Sequence, residues 1–176
     1  MNNVDDVLSK DMAPIWEAYG KACYQCQNLE SSFRFLLILN ASKSTGEVIS
    51  KIAVESVETE TSQYTLNKIF RLAQEKEYFK RNEITMLIKA NKTRNNVIHN
   101  YWNDRSNVNK MMTPEGRLGL KFELEKISSE LWQANQIVVR LIDKYLIESG
   151  LTTEILKSIA SNMYEEGRVD IPKNKH

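Results

Sequence analysis

The sequence predicts an all-α fold, an antiparallel helical bundle of four main helices with one further helix near the C-terminal end. Three observations predict it. Two long stretches carry apolar residues at an unbroken alternation of four and three positions, which is the period of a helix with one buried face. Only six glycines and three prolines interrupt 176 residues. Apolar residues make up 41 % and charged residues 27 %, the balance of a folded, water-facing protein.

The first helix is carried by Ile15, Tyr19, Ala22, Cys26, Leu29, Phe33 and Leu36. Residues 41 to 64, rich in Ser, Thr and Glu, read as an elaborated loop with at most a weak helical segment near Glu47 to Glu58. A short helix then starts at Thr65 with Leu66, Ile69, Phe70 and Ala73, and a third spans Asn82 to Trp102 with Ile84, Ile88, Ile98 and Trp102 as its core. The longest seam is Leu120, Leu124, Ile127, Leu131, Ala134, Val138, Leu141 and Tyr145. Thr113 and Pro114 supply an N-cap and a first helical position ahead of it, and Gly150 a stop. That helix would measure on the order of 50 Å at about 1.5 Å per residue. A last helix, Thr152 to Glu166, has Ile155, Leu156, Ile159 and Met163 on one face. The reading is one domain over residues 1–176, with 1–11 and 168–176 as loose tails.

Several function classes are disfavoured. The net charge is +1, too small for the whole surface to draw in polyanions, so any such site must be local. No run of about 18 apolar residues occurs and the first residues are acidic, so neither a membrane span nor a signal peptide is expected, and the expected location is the cytoplasm. Cys23 and Cys26 stand three apart in mid-helix, with no second pair to complete a metal site. They are read as reduced packing residues, because a redox pair works where a helix N-terminus stabilises the thiolate. No cofactor is expected.

The core stripe of the third helix breaks. Stepped from Ile84 it reads Ile84, Ile88, Asn91, Asn95, Ile98 and Trp102, with two amides at interior positions. Burying an unpartnered amide costs roughly 1 to 3 kcal/mol, so such residues sit in a polar network or face a cleft. His99 lies one turn beyond Asn95, and Arg94 adjoins them. Around them, residues 80–110 hold Lys80, Arg81, Lys89, Lys92, Arg94, Arg105 and Lys110 against Glu83 and Asp104, a local excess of five positive charges. A cationic collar around a titratable imidazole suits phosphodiester chemistry. A stabilising core histidine and a solvated basic face are the plainer reading of the same residues.

The run Arg94, Asn95, Asn96, Val97, Ile98, His99, Asn100, Tyr101 resembles the signature of the HEPN superfamily. That signature is an arginine, a polar residue, three more positions and a histidine. The His-x-Tyr extension resembles HEPN toxins that pair with a small nucleotidyltransferase antitoxin. Gln27, Asn28, Leu29 and Glu30, leading into Phe35, Leu36 and Leu37, look like the first helix of small bacterial members, and Thr65 and Leu66 like the entry to their second. The likeness covers roughly residues 20 to 145, and the long segment 41–64 and the helix after Gly150 depart from it.

The resemblance implies a homodimer with two Arg–His sets across a cleft, and metal-independent RNA cleavage that leaves a 2′,3′-cyclic phosphate. It also makes Tyr101 an acceptor for AMP transferred by a nucleotidyltransferase partner. The residue chemistry agrees with the cleavage. An imidazole moves protons near neutrality, a guanidinium stabilises a crowded phosphorane, and no carboxylate cluster suited to magnesium is apparent. On a straight α-helix residues five apart are about 140° apart, so Arg94 and His99 would meet one phosphate only across a dimer or through a distorted helix. Expected roles are Arg94 and His99 in catalysis, Asn95 orienting the ring or touching phosphate, Glu30 positioning Arg94, and Lys89, Lys92 and Arg105 contacting RNA. Toxin or antiviral defence effector is the expected context. A non-catalytic HEPN module binding nucleotide, nucleic acid or protein is the alternative, and a purely structural helical protein a third reading.

Overall fold

Residues 4–43, 71 and 79–148 are described by a computed structural model, and among them every regular element is helical and none is a strand. Four α-helices appear among the described residues: α1 (Val4–Lys43), α2 (Arg81–Asn95), α3 (Arg105–Lys110) and α4 (Pro114–Glu148). A π-helical turn, Asn96–Asn100, continues α2 directly. Internal contacts divide the chain into Met1–Ile142, which holds α1 to α3 and most of α4, and Asp143–His176. No helix among the described residues is long and apolar enough to cross a membrane. The helices expected at Thr65 and at Thr152, the Gly150 stop and the tail 168–176 lie outside the described residues.

α1 is longer than its apolar seam. Pro14, inside it, gives up one helical hydrogen bond, and the next residue, Ile15, is buried. Ile15, Ala22, Cys26, Leu29, Phe33 and Leu36 are all buried, whereas Tyr19 is half-buried beside buried Ala18. α4 buries Leu120, Leu124, Leu131, Ala134 and Val138, leaving Ile127 and Leu141 half-buried. Its start is chemically defined, because the Gly116 N–H donates to Thr113 Oγ1 at 3.1 Å and satisfies one of the free first-turn donors. A β-carbon on Gly116 would lie 2.2 Å from the Lys110 carbonyl oxygen, so the end of α3 reaches α4 only because this residue has no side chain.

The core line of α2 differs from the expected one. Ile88 and Ile98 are 40 % and 37 % exposed, while Leu87, Ala90, Asn91, Val97 and Tyr101 are buried. The interior therefore runs one position back from the isoleucine line, with Leu87 inside instead of Ile88. Tyr101 is 1 % exposed and Trp102 half-buried. Tyr101 lies 6.0 Å from Tyr19 and 4.9 Å from Trp102, which in turn lies 5.0 Å from Trp16, so aromatic rings join α1 to the end of the π turn.

Polar contacts give the helix directions. Glu83 pairs with Arg140, and Lys89 with Glu130 at 2.8 Å, so α2 and α4 run antiparallel. Tyr19 meets Val97 and Glu30 meets Arg94, so α1 and α2 do as well. Burial alone would raise the Glu83 pKa. The Lys80 N–H and the Arg140 guanidinium outweigh it and hold the carboxyl below its ordinary value.

Candidate functional site

α1 and α2 set one carboxylate between two guanidiniums. Glu30 Oε2 accepts from Arg94 Nη2 at 2.9 Å, and Glu30 Oε1 accepts from Arg34 Nη2 at 3.0 Å. Arg34 stands one turn past Glu30 on the same helix, which is the spacing at which side chains become neighbours. Arg94 comes from the facing helix, and its side chain is 16 % exposed. Its Nη1 donates to Asn95 Oδ1 at 3.0 Å, and its buried Nε makes no hydrogen bond among the described residues.

These groups line a cleft of about 480 Å³. α1 contributes Cys26, Gln27, Glu30, Ser31 and Arg34, and the opposite wall is Arg94 and Ile98. The next residue, His99, is exposed, and its ring makes no hydrogen bond among the described residues. Its carbonyl accepts from Asn103 Nδ2 at 2.8 Å.

The helix changes geometry between Arg94 and His99. In a π turn the hydrogen bond reaches the fifth residue along, so five steps come nearer to one full turn than the about 140° offset of a straight α-helix. Tyr19 braces the turn, its hydroxyl donating to the Val97 carbonyl at 3.1 Å. Nothing in the local sequence marks this turn, and Tyr19 reads there only as a seam aromatic.

The structure brings Glu30, Arg94 and Asn95 together but leaves His99 on the outer side of the π turn. The Asn95 amide oxygen is turned to Arg94, not to the imidazole. The basic collar is weaker in three dimensions than along the chain. Lys89 pairs with Glu130, Lys110 with Glu123 at 3.1 Å and Arg94 with Glu30, while Lys92 and Arg105 are exposed and form no ion pair among the described residues. Lys89 faces the groove between α2 and α4, not the Arg94 cleft.

Tyr101 is buried with its hydroxyl, which has no hydrogen-bond partner among the described residues. Burial, helped by the charge of Glu123, pushes its ionisation well above the tyrosine range. Nucleotidyl transfer to this oxygen requires the ring to leave the interior. Burial likewise pushes the Cys26 thiol up to about 12, which keeps it neutral and suits a packing residue. Among the described residues no group of three or more His, Cys, Asp or Glu could hold a metal ion.

Comparison of the chain with family models, with curated proteins and with solved structures finds no match.

Proposed function

We propose that this chain is a metal-independent endoribonuclease of the HEPN type, acting as a toxin or antiviral defence effector. Its working form in this reading is a homodimer in the cytoplasm, each subunit an antiparallel bundle of four main helices with a C-terminal helix. His99 moves the proton of the ribose 2′-OH or of the leaving 5′-oxygen, and Arg94 stabilises the phosphorane. The carrying observation is a guanidinium clamped by Glu30 and Asn95 at an open cleft, with a π turn leading from it to an exposed imidazole. Clamping holds the cation in place before substrate arrives, which is what electrostatic catalysis asks of it. Dimerisation supplies the second half of the geometry, since Arg94 and His99 make no contact with each other within one subunit. A neutralising partner of the nucleotidyltransferase class fits the His-x-Tyr pattern, but its target hydroxyl on Tyr101 is buried.

The test is cleavage of single-stranded RNA in the presence of a metal chelator. Wild type is expected to leave 2′,3′-cyclic phosphate ends, and His99→Ala to lose at least about a hundredfold in rate. Intact RNA after prolonged incubation with wild type rejects the proposal. A second reading, a non-catalytic module that binds nucleic acid or nucleotide, draws on the hydrogen bonds that occupy both terminal nitrogens of Arg94, to Asn95 and Glu30. RNA binding that depends on Arg94 without any cleavage would select it.

A further inference from the structure

We propose that Arg34 and Arg94 form a phosphodiester-binding subsite on the α1 wall of the cleft, and that Glu30 is its resident competitor. The assignment rests on reading the chain as an RNA-acting protein, and it names where the RNA backbone is gripped. The geometry is that of an occupied anion site. One carboxylate accepts a hydrogen bond from each of two guanidiniums, at 2.9 and 3.0 Å, and a phosphate has the oxygens to take over the same donors.

The two arginines are held differently. The Arg94 side chain is 16 % exposed and donates to both Glu30 and Asn95, whereas the Arg34 side chain is 28 % exposed and donates to Glu30 from the same helix. Charge selects the ligand. Two cations and one carboxylate leave the cluster at +1, which a phosphodiester neutralises, while a phosphomonoester carries about −1.5 to −2 and leaves excess negative charge beside Glu30. Gln27 and Ser31 on the same wall offer neutral donors and acceptors to a ribose or base. The cleft, at about 480 Å³, has the volume of a small-ligand pocket.

Binding of a labelled 2′-O-methyl RNA oligonucleotide, which lacks the attacking hydroxyl, tests the subsite by fluorescence anisotropy on the full chain. Arg34→Ala is expected to weaken binding about tenfold. Arg34→Lys, which preserves the charge toward Glu30 but not the fork, is expected to fall between. Glu30→Gln is expected to tighten binding several-fold, and AMP, a phosphomonoester competitor, to displace the strand poorly. Wild-type affinity in Arg34→Ala overturns the subsite, as does a loss in Glu30→Gln equal to that in Arg34→Ala, effective displacement by AMP, or no binding by wild type. A parallel arm with unmodified RNA separates the two ideas. Binding that follows this pattern without cleavage defeats only the ribonuclease reading, and cleavage with binding indifferent to Arg34 defeats only the subsite.

Discussion

Arg94 and Glu30, 64 positions apart in the chain, are joined by a hydrogen-bonded ion pair of 2.9 Å that ties α2 to α1 at the edge of the cleft. Because both side chains are largely shielded, removing Glu30 leaves Arg94 partly buried with only the neutral Asn95 amide, and removing Arg94 leaves Glu30 with Arg34 from its own helix. A double-mutant cycle of Glu30→Ala and Arg94→Ala by urea unfolding is expected to show a coupling of about 1 to 3 kcal/mol. Additive single-mutant effects would argue that the pair contributes nothing to holding the helices together.

The glycines of α4 are expected to respond in opposite directions. Gly116→Ala places a β-carbon 2.2 Å from the Lys110 carbonyl oxygen, against backbone that can yield only by moving the α3 end, so a loss of about 1 to 3 kcal/mol is expected. Gly119→Ala meets nothing within 4 Å and is expected to gain about 0.5 to 1 kcal/mol from helix propensity alone. Thermal unfolding of the two variants decides it, and equal effects would contradict the close approach.

Tyr101 carries a buried hydroxyl without a partner among the described residues, so Tyr101→Phe is expected to be neutral or slightly stabilising at pH 7. The sign of the pH effect follows from the raised pKa. The folded state favours the protonated phenol, so this stability is complete below the ordinary tyrosine value of 10.0 and fades as pH rises above it. Urea midpoints between pH 9 and 11, about the tyrosine range, should fall less steeply in Tyr101→Phe than in wild type.

Glu83 works at the acid end. Its folded pKa lies below 4.5, so it contributes stability above that value and loses it as pH falls through the lower, folded pKa. Glu83→Gln keeps the shape but removes the charge that faces Arg140. Its midpoint should therefore change less with pH between about 5 and 3 than that of wild type, and parallel curves would rule the linkage out.

Tyr19→Phe deletes the hydroxyl that donates to the Val97 carbonyl. A loss of about 0.5 to 1.5 kcal/mol is expected. Amide exchange should accelerate at residues 96–100 before it does in α4, and uniform acceleration would show that the contact is not local to the π turn.

The parts of the fold legible in the sequence are those set by local chemistry. The α1 seam from Ile15 to Leu36 and the α4 seam from Leu120 follow from a single apolar line on each helix, and the Thr113 cap from its own hydroxyl. The register of α2 was not legible, because Leu87 and Ile88 are adjacent and either begins an acceptable apolar line. α3 went unread although Asp104 marks it, its side chain accepting from the Ser106 N–H at 2.8 Å. At the cleft, Arg94 and Asn95 stood out by type and pattern, and Glu30 only through the resemblance of its helix. Arg34 did not, since a lone cation one turn from a glutamate reads as an ordinary solvated pair. The pairing of Lys89 and Lys110 with acids on α4 also escapes a linear count, which sees only neighbours along the chain.

The tryptophan pair Trp16 and Trp102 gives the protein an optical reporter of its own. Indole emission responds to the polarity and mobility of its surroundings, and Trp102 packs against Tyr19, whose hydroxyl holds the turn that carries His99. Any ligand or second subunit that shifts this turn should therefore change the intrinsic fluorescence of unlabelled material.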